Sequence, residues 1–284
     1  MCTPPSVQPL LALLGQPIAG NPTQFMMERA FARHEMDWRY LSLEVAPDDL
    51  ADAVRGMRAM GFRGGTCADP HKRAILPLLD RCGEVAQRTG LVNCILREER
   101  ALVGENTEGR GVVEALRRRI DPAGKRVVLL GAGCTARAVG VELAMAKAAE
   151  IVVVNRTEER GRELAELLTG PLETPASFVL WDRPYPVPPD AHVLVCTIPH
   201  LPPAEAEEPL PLDLEQVTSQ TVVVDVAYSP PRRWLLHEAA QRGAVTVEGL
   251  DVMVEQSAVN FRLWTGVDPD RAAMREAVEE FFEL

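Results

Sequence analysis

Residues Lys125 to Thr157 restrict the fold more tightly than any other part of the chain. KRVVLL carries an apolar strand run, GAG follows it directly, AVGVELAMAKA continues as a helix, and IVVV is a second apolar run ending at Asn155. Strands that are apolar at successive positions are buried on both faces, which places them inside a parallel sheet. Strand, helix and strand in this order form a βαβ unit. Gly131, Ala132 and Gly133 stand at the strand-to-helix turn. There, backbone N–H groups and a helix N-terminus can cradle a pyrophosphate, and the missing side chains permit its close approach. Ala136 stands near the usual third glycine and is small enough for helix and strand to pack. Cys134 and Thr135 open the helix and complete the candidate cradle.

The tip of the second strand discriminates between cofactors. A site for NAD carries Asp or Glu there for the ribose hydroxyls, whereas this chain has Asn155, Arg156 and Thr157. A guanidinium can stack on adenine and pair through its planar fork with a 2′-phosphate, and Thr157 adds a hydroxyl, so the loop suits NADP. Glu158 and Glu159 follow at once and bring negative charge close to it.

Alternation of strand and helix begins well before this unit. Leu10 to Leu14 reads as a strand, Thr23 to His34 as a helix, and Trp38 to Val45 as a strand again. PDDLADAVRGMRAMG has an acidic first turn, apolar residues at helical spacing and Gly61 as its stop. The expected class is α/β, with mostly parallel sheets covered by helices. Further strands are expected at His192 to Cys196 and Thr221 to Val226, and helices at Glu158 to Leu168 and Trp234 to Arg242. Pro171 to Pro211 holds 11 of the 23 prolines and reads as loop-rich connection with at most short strands. The chain turns wholly helical after Gly249, with Asp268 or Asp270 as the cap of the last helix. A length of 284 residues accommodates two domains at about 150 residues each. Their boundary is expected near Glu108 to Arg119, with a cleft between them.

A net charge of −11 repels phosphate backbones and anionic membrane surfaces, so neither nucleic acid nor membrane is an expected partner. The six cysteines, Cys2, Cys67, Cys82, Cys94, Cys134 and Cys196, form no Cys-x-x-Cys pair and no zinc spacing, and they read as reduced thiols with no metal. MCTPPSVQPLLALLG has no basic leader region and a short apolar run, so a cytoplasmic location is expected. Polar residues gather in the first half: Lys72 in GGTCADPHK, Asn93 in LVNCIL, and Asn106, Thr107 and Glu108 in GENTEGRG. Lys72 and Glu108 form a charge pair able to handle a proton beside a hydride acceptor. His71 is expected on the surface or as a helix cap, and Cys67 and Cys94 as buried packing groups.

Eight segments in order then resemble the shikimate dehydrogenase family. GQPIAGNPTQF is similar to its G-x-P-I-x-H-S-x-S-P opening, FRGGTCADPHK to Asn-Val-Thr-x-Pro-x-Lys, LVNCI to Gly-Ala-x-Asn, and GENTEGRG to G-x-N-T-D-x-x-G. GAGCTARA is similar to its glycine-rich turn, NRT to its NADP loop, DVAYSP to D-x-x-Y-x-P, and GLDVMVEQSAVNF to G-x-x-M-x-x-x-Q.

The resemblance implies a dehydrogenase that exchanges hydride between NADP(H) and a hydroxylated cyclic carboxylic acid such as shikimate, 3-dehydroshikimate or quinate. It implies a substrate-binding domain over residues 1–112, a Rossmann-type NADP domain over 113–249, and C-terminal helices over 250–284 that return to the first domain. Lys72 and Glu108 match the catalytic pair. Asn21, Thr23, Ala68, Asn93, Asn106, Tyr228 and Gln256 match positions that hold or border substrate, and Gly249 and Met253 match positions near the cofactor. The expected assembly is a monomer or homodimer; the alternative function is a paralogue that binds NADP(H) but turns over poorly. The departures lie in the pocket. Asn21 and Thr23 replace two serines that the family uses on the substrate carboxylate, Gly20 a histidine, Ala68 a threonine, and Glu108 an aspartate. Asp69 stands where an apolar residue is usual, either facing the ligand as a like charge or capping the helix after Pro70.

Overall fold

A computed structural model describes residues 7–198, 210–228 and 234–284. Residues 1–6, Cys2 among them, part of the proline-rich connection and the Ser-Pro of DVAYSP lie outside the described residues. The chain divides into two compact units, one of residues 1–107 with 257–284 and one of residues 108–256.

The first unit is built on β1 (Leu10–Gly15), α1 (Thr23–Arg33), β2 (Arg39–Glu44), α2 (Leu50–Ala59), β3 (Gly64–Cys67), α3 (His71–Ala74), β4 (Arg81–Cys82), α4 (Glu84–Thr89), β5 (Cys94–Glu98) and β6 (Ala101–Glu105). Its sheet runs β2-β1-β3-β5-β6-β4. β1 pairs in parallel with β2 and β3, while β5 runs antiparallel to both β3 and β6. The β5–β6 hairpin gives no turn signal in the sequence, because Glu99 adopts the positive φ of 54° that glycine or asparagine normally supplies. One face of the sheet packs Ala12, Leu14 and Ile95 against Leu50, Val54 and Met57 of α2. On α1, Phe31 stacks on Phe261 at 5.3 Å, which fastens the C-terminal helical segment to this unit.

The second unit comprises α5 (Glu108–Arg117), β7 (Arg126–Leu130), α6 (Cys134–Met145), β8 (Glu150–Asn155), α7 (Glu158–Thr169), β9 (Ala176–Leu180), β10 (Tyr185–Pro186), β11 (Val193–Cys196), β12 (Leu212–Asp213), β13 (Val222–Asp225), α8 (Trp234–Gln241), β14 (Val245–Val247) and the start of α9 (Gly249–Thr265). The main sheet is wholly parallel, in the order β14-β13-β11-β7-β8-β9. Val127 and Leu129 face one core with α5, α6 and α7, while Val128 and Leu130 face the other with α8. Both cores need apolar residues, which explains the unbroken apolar runs. Consecutive strands leave β7 first on one side and then on the other, so the topological switch lies between β7 and β11, where open α/β sheets bind ligands at their strand ends.

Helix α10 (Arg271–Phe282) completes the first unit and is capped by Asp270, whose carboxylate accepts the Ala273 N–H at 3.1 Å. Asp268 instead pairs with Arg271 at 2.7 Å.

α5 supports the dinucleotide turn by crossing α6 closely at Gly109, where any Cβ would collide with the Ala138 carbonyl. Gly109→Ala is therefore expected to lower stability by about 1–2 kcal/mol: overpacking costs about 1–3 kcal/mol, and alanine's helix propensity returns up to about 1 kcal/mol of it. Urea unfolding should show an earlier midpoint at unchanged slope. An unchanged or later midpoint would mean that α5 yields without cost.

Candidate active site

The residues expected to hold the cofactor sit at the carboxyl ends of β7 and β8. Gly131 has φ of 106°, and a Cβ there would stand 2.6 Å from the Thr197 hydroxyl, which itself donates to the Leu130 carbonyl. The protein's own turn therefore needs Gly131. Gly133 differs, with φ of −83° and no heavy atom within 4 Å of an added Cβ. Packing makes no demand for glycine there, and the backbone is left open to the approach of a ligand. Gly133 is also the N-cap of α6 and supplies no side-chain cap, so Cys134 and Thr135 open a twelve-residue helix beside that space. The turn fits a pyrophosphate on both counts.

At the tip of β8 the Asn155 side chain donates to the Thr157 carbonyl at 2.8 Å and shapes the loop, while Arg156 and Thr157 are exposed. Glu158 faces Arg162 at 2.7 Å, so a cation one turn along α7 offsets its charge. Gly249 opens α9 and packs so tightly on Ala227 that a Cβ would strike its carbonyl; Ala227 also donates its N–H to Asp225 at 3.1 Å. These contacts fix the strand end that carries the half-exposed Tyr228. Met253 and Gln256 follow on α9, and Gln256 lies against Gly111 of α5. Glu108 is partly buried at the start of α5. Glu108, Tyr228, Met253 and Gln256 thus all belong to the second unit.

The first unit gathers the remaining residues at the end of β3. Cys67 donates its N–H to the Asn93 carbonyl at 2.9 Å, Ala68 to Leu14 at 2.8 Å, and Val92 to Lys72 at 2.8 Å. Ala68, Lys72 and Asn93 are thereby held by one backbone lattice. The Asn93 side chain accepts the Thr107 N–H at 2.8 Å, and the Thr107 hydroxyl donates to Asn260 at 2.7 Å. Asn106, fully buried, reaches the Thr89 hydroxyl and the Leu91 carbonyl at 3.3 Å each. Asn21 accepts the Thr23 N–H at 2.9 Å and orders the start of α1, on the loop that follows β1, whose last residue Gly15 packs against Ala68.

Two residues depart from expectation. His71 is wholly buried rather than on the surface or capping, and its Nε2 meets the Val45 carbonyl at 2.8 Å. The His71 N–H closes a turn on the Ala68 carbonyl at 2.9 Å, and the ring stands at the start of α3, the helix that carries Lys72. Asp69 neither caps α3 nor enters the core; it is 81% exposed and faces the Lys72 ammonium at 3.6 Å. Cys67 and Cys94 pack as expected, burial pushing the Cys67 thiol up to about 12 and the Cys94 thiol higher still, so neither is a nucleophile. Sequence reasoning did not single out Thr66, which shares a 2.5 Å hydrogen bond with buried Tyr40, or Asn260, whose partner lies 153 positions away. The motif reading also passed over one compositional signal: of 30 Lys and Arg residues only Lys72, Lys125 and Lys147 are lysine. In a chain that otherwise uses arginine, lysine at position 72 supplies a cation that can also exist as a neutral amine.

Comparison with known proteins gives the family. The shikimate dehydrogenase substrate binding domain matches residues 13–95, the shikimate / quinate 5-dehydrogenase domain residues 114–178, and the shikimate 5′-dehydrogenase C-terminal domain residues 249–279. The chain is 41% identical over 275 residues to the shikimate dehydrogenase (NADP(+)) of Moorella thermoacetica, covering 95% of this chain and 92% of that protein. Among solved structures, 5-ketofructose reductase of Gluconobacter superposes with a TM-score of 0.91 at 35% identity, covering 96% and 99% of the two chains. The Thermus thermophilus shikimate 5-dehydrogenase in complex with NADP(H) and shikimate superposes with a TM-score of 0.80 at 32% identity, covering 96% and 100%. Among the described residues no helix is long and apolar enough to cross a membrane. The dinucleotide turn, the lysine-bearing end of β3 and these relatives agree, and the chain belongs to the shikimate dehydrogenase family.

Proposed function

We propose that the protein is an NADP-dependent dehydrogenase that oxidises one CH–OH group of a hydroxylated cyclic carboxylic acid, shikimate or quinate, and catalyses the reverse reduction. The observation that carries this reading is Lys72, one of three lysines, on α3 with its carbonyl bonded to the Val92 N–H next to Asn93, in a chain whose dinucleotide turn is left open at Gly133. The nicotinamide, when bound, supplies the hydride acceptor. Lys72 takes the hydroxyl proton during oxidation and returns it during reduction. Asn93 and Asn106 supply amides to the ring hydroxyls, and Asn21, Thr23, Tyr228 and Gln256 serve the same ligand. Glu108, at the start of α5, contributes a carboxylate to a ring hydroxyl. Gly131 to Thr135 hold the pyrophosphate, Asn155 to Thr157 the adenosine end, and Gly249 and Met253 border the nicotinamide. The named enzymatic relatives do not favour the alternative of a paralogue that binds cofactor without turnover.

The pocket substitutions favour one second substrate class. Without the two serines, and with Asp69 adding a negative charge, the site is also suited to a neutral polyhydroxy ketone, the class that the Gluconobacter relative's name indicates. A panel of shikimate, quinate and 5-ketofructose assayed with NADP(H) decides between them. The acid reading expects reduced nicotinamide from a ring acid well above the rate of a Lys72→Ala variant. Turnover confined to the neutral ketone would replace that reading, and no turnover of any panel member would remove it.

A further inference from the structure

We propose that Gln24 is a positioning residue for Thr23, a part it plays by fastening the first turn of α1 to the open edge of the sheet; the proposal rests on Thr23 serving the substrate as described above. β2 is the last strand on its side of the first unit's sheet. Arg39 donates its N–H to Pro9 and Val45 to Gly15, both toward β1. The alternate residues Tyr40 and Ser42 therefore direct their N–H groups outward, where no further strand among the described residues receives them. Two side chains of α1 receive them instead: Glu28 accepts the Tyr40 N–H at 2.6 Å, and Gln24 accepts the Ser42 N–H at 2.9 Å. The spacing explains the match. Four residues advance about 6 Å along a helix and two residues about 6.6 Å along a strand, so acceptors at i and i+4 meet alternate N–H groups of the edge.

The two contacts serve different ends. Tyr40 is wholly buried, so Glu28 satisfies an N–H that water cannot reach, and its loss would count against the fold. Ser42 is half-buried, and Gln24 stands at the other end of the pair, one residue after Thr23. α1 begins at Thr23, and Pro22, its N-cap, has no side-chain acceptor. The turn is held from both sides of Thr23: Asn21 accepts the Thr23 N–H at 2.9 Å, and Gln24 ties the next residue to β2. In the opening motif that this segment resembles, position 24 is a proline, whose fixed φ suits the first turn of a helix. This chain carries its proline two residues earlier and has at position 24 an amide that reaches the sheet, a tie that a proline cannot make.

The test uses the full-length protein, its Gln24→Leu and Thr23→Ala variants, and the double variant. Leucine fills much the same space as glutamine but cannot accept a hydrogen bond. Amide hydrogen exchange read by NMR should show the Ser42 N–H of Gln24→Leu exchanging about two- to tenfold faster than in the parent, the range that one net hydrogen bond is worth. Exchange at Tyr40 should stay at the parent rate. With the substrate that the parent turns over, Gln24→Leu should raise KM about fivefold. Its kcat and its Kd for NADPH should stay within about twofold of the parent, since the change weakens substrate binding and spares the chemical step. In the Thr23→Ala background the same substitution should raise KM by less than about twofold, because the group that it positions is gone. Unchanged Ser42 exchange overturns the proposal, as does faster exchange with unchanged KM. An equal rise in KM in the two backgrounds overturns it too, and so does a loss shared by kcat, NADPH affinity and the unfolding midpoint, which marks a general loosening of the fold. If the parent turned over no ring substrate, the function proposed above would fail and the positioning role with it; unchanged Ser42 exchange refutes the role alone, whatever the parent turns over.

Discussion

Replacing Lys72 by alanine is expected to lower kcat for alcohol oxidation by roughly 10²–10⁴-fold, the usual contribution of a positioned general acid or base, while the Kd for NADPH stays within about twofold. Initial rates and a fluorescence titration measure the two quantities. The reason lies in chemistry that arginine cannot supply. A guanidinium carries the same charge and makes more hydrogen bonds, but it does not give up its proton in proteins. Lys72→Arg should therefore be nearly as slow as Lys72→Ala. If arginine restored most of the activity, Lys72 would act as a fixed charge on the ligand rather than as a proton acceptor. If alanine lowered NADPH affinity in proportion to kcat, the cofactor assignment to the second unit would need revision, because Lys72 belongs to the first.

Lys72 was legible as a motif, yet the features that make it usable were not. Its carbonyl is tied to Val92, 20 positions on, and the His71 ring beneath it is tied to Val45, 26 positions back. Nothing in the local pattern PHK distinguishes a buried histidine from a surface one. Asn93 and Asn106 were likewise visible as polar residues within strand and turn signals. The link from Asn93 through Thr107 to Asn260 joins the start of β5 to a helix that arrives far later in the chain. Such a contact is set by tertiary packing and leaves no periodic trace.

The dinucleotide unit was easier to read, for a physical reason. Its strands are covered on both sides, so β7, β8, β11 and β13 appear as uninterrupted apolar runs, and each is a burial signal that local sequence carries unaided. The first unit contains a two-residue hairpin turn at Glu99 and Arg100 with neither glycine nor asparagine, so the antiparallel pair β5–β6 was the part least visible in advance. Gly131 and Gly133 look equivalent in GAG, and only the structure separates them: the first accommodates the protein's own Thr197, the second leaves space beside α6.

That division of labour sets the second large effect, at the other end of the cofactor. Arg156→Ala is expected to raise KM for NADP by about 30-fold and to change KM for NAD by less than about threefold. A charge-assisted hydrogen bond contributes about 1.5–3 kcal/mol, or roughly 10- to 150-fold, and NAD lacks the phosphate that would receive it. The surrounding charges make the loss hard to compensate. Glu158 is offset by Arg162, but Glu159 remains exposed in the same first turn, and the chain as a whole carries −11. Without Arg156 the 2′-phosphate would lose its planar, charged donor fork, which the neutral Thr157 hydroxyl cannot replace. Raising salt should weaken NADP binding to the parent protein more than to the variant, since screening acts on the charge pair. Steady-state kinetics with both cofactors at two ionic strengths read all four quantities. An equal loss for NADP and NAD would place Arg156 against the shared adenine rather than the phosphate, and no loss for either would leave it a solvated surface cation.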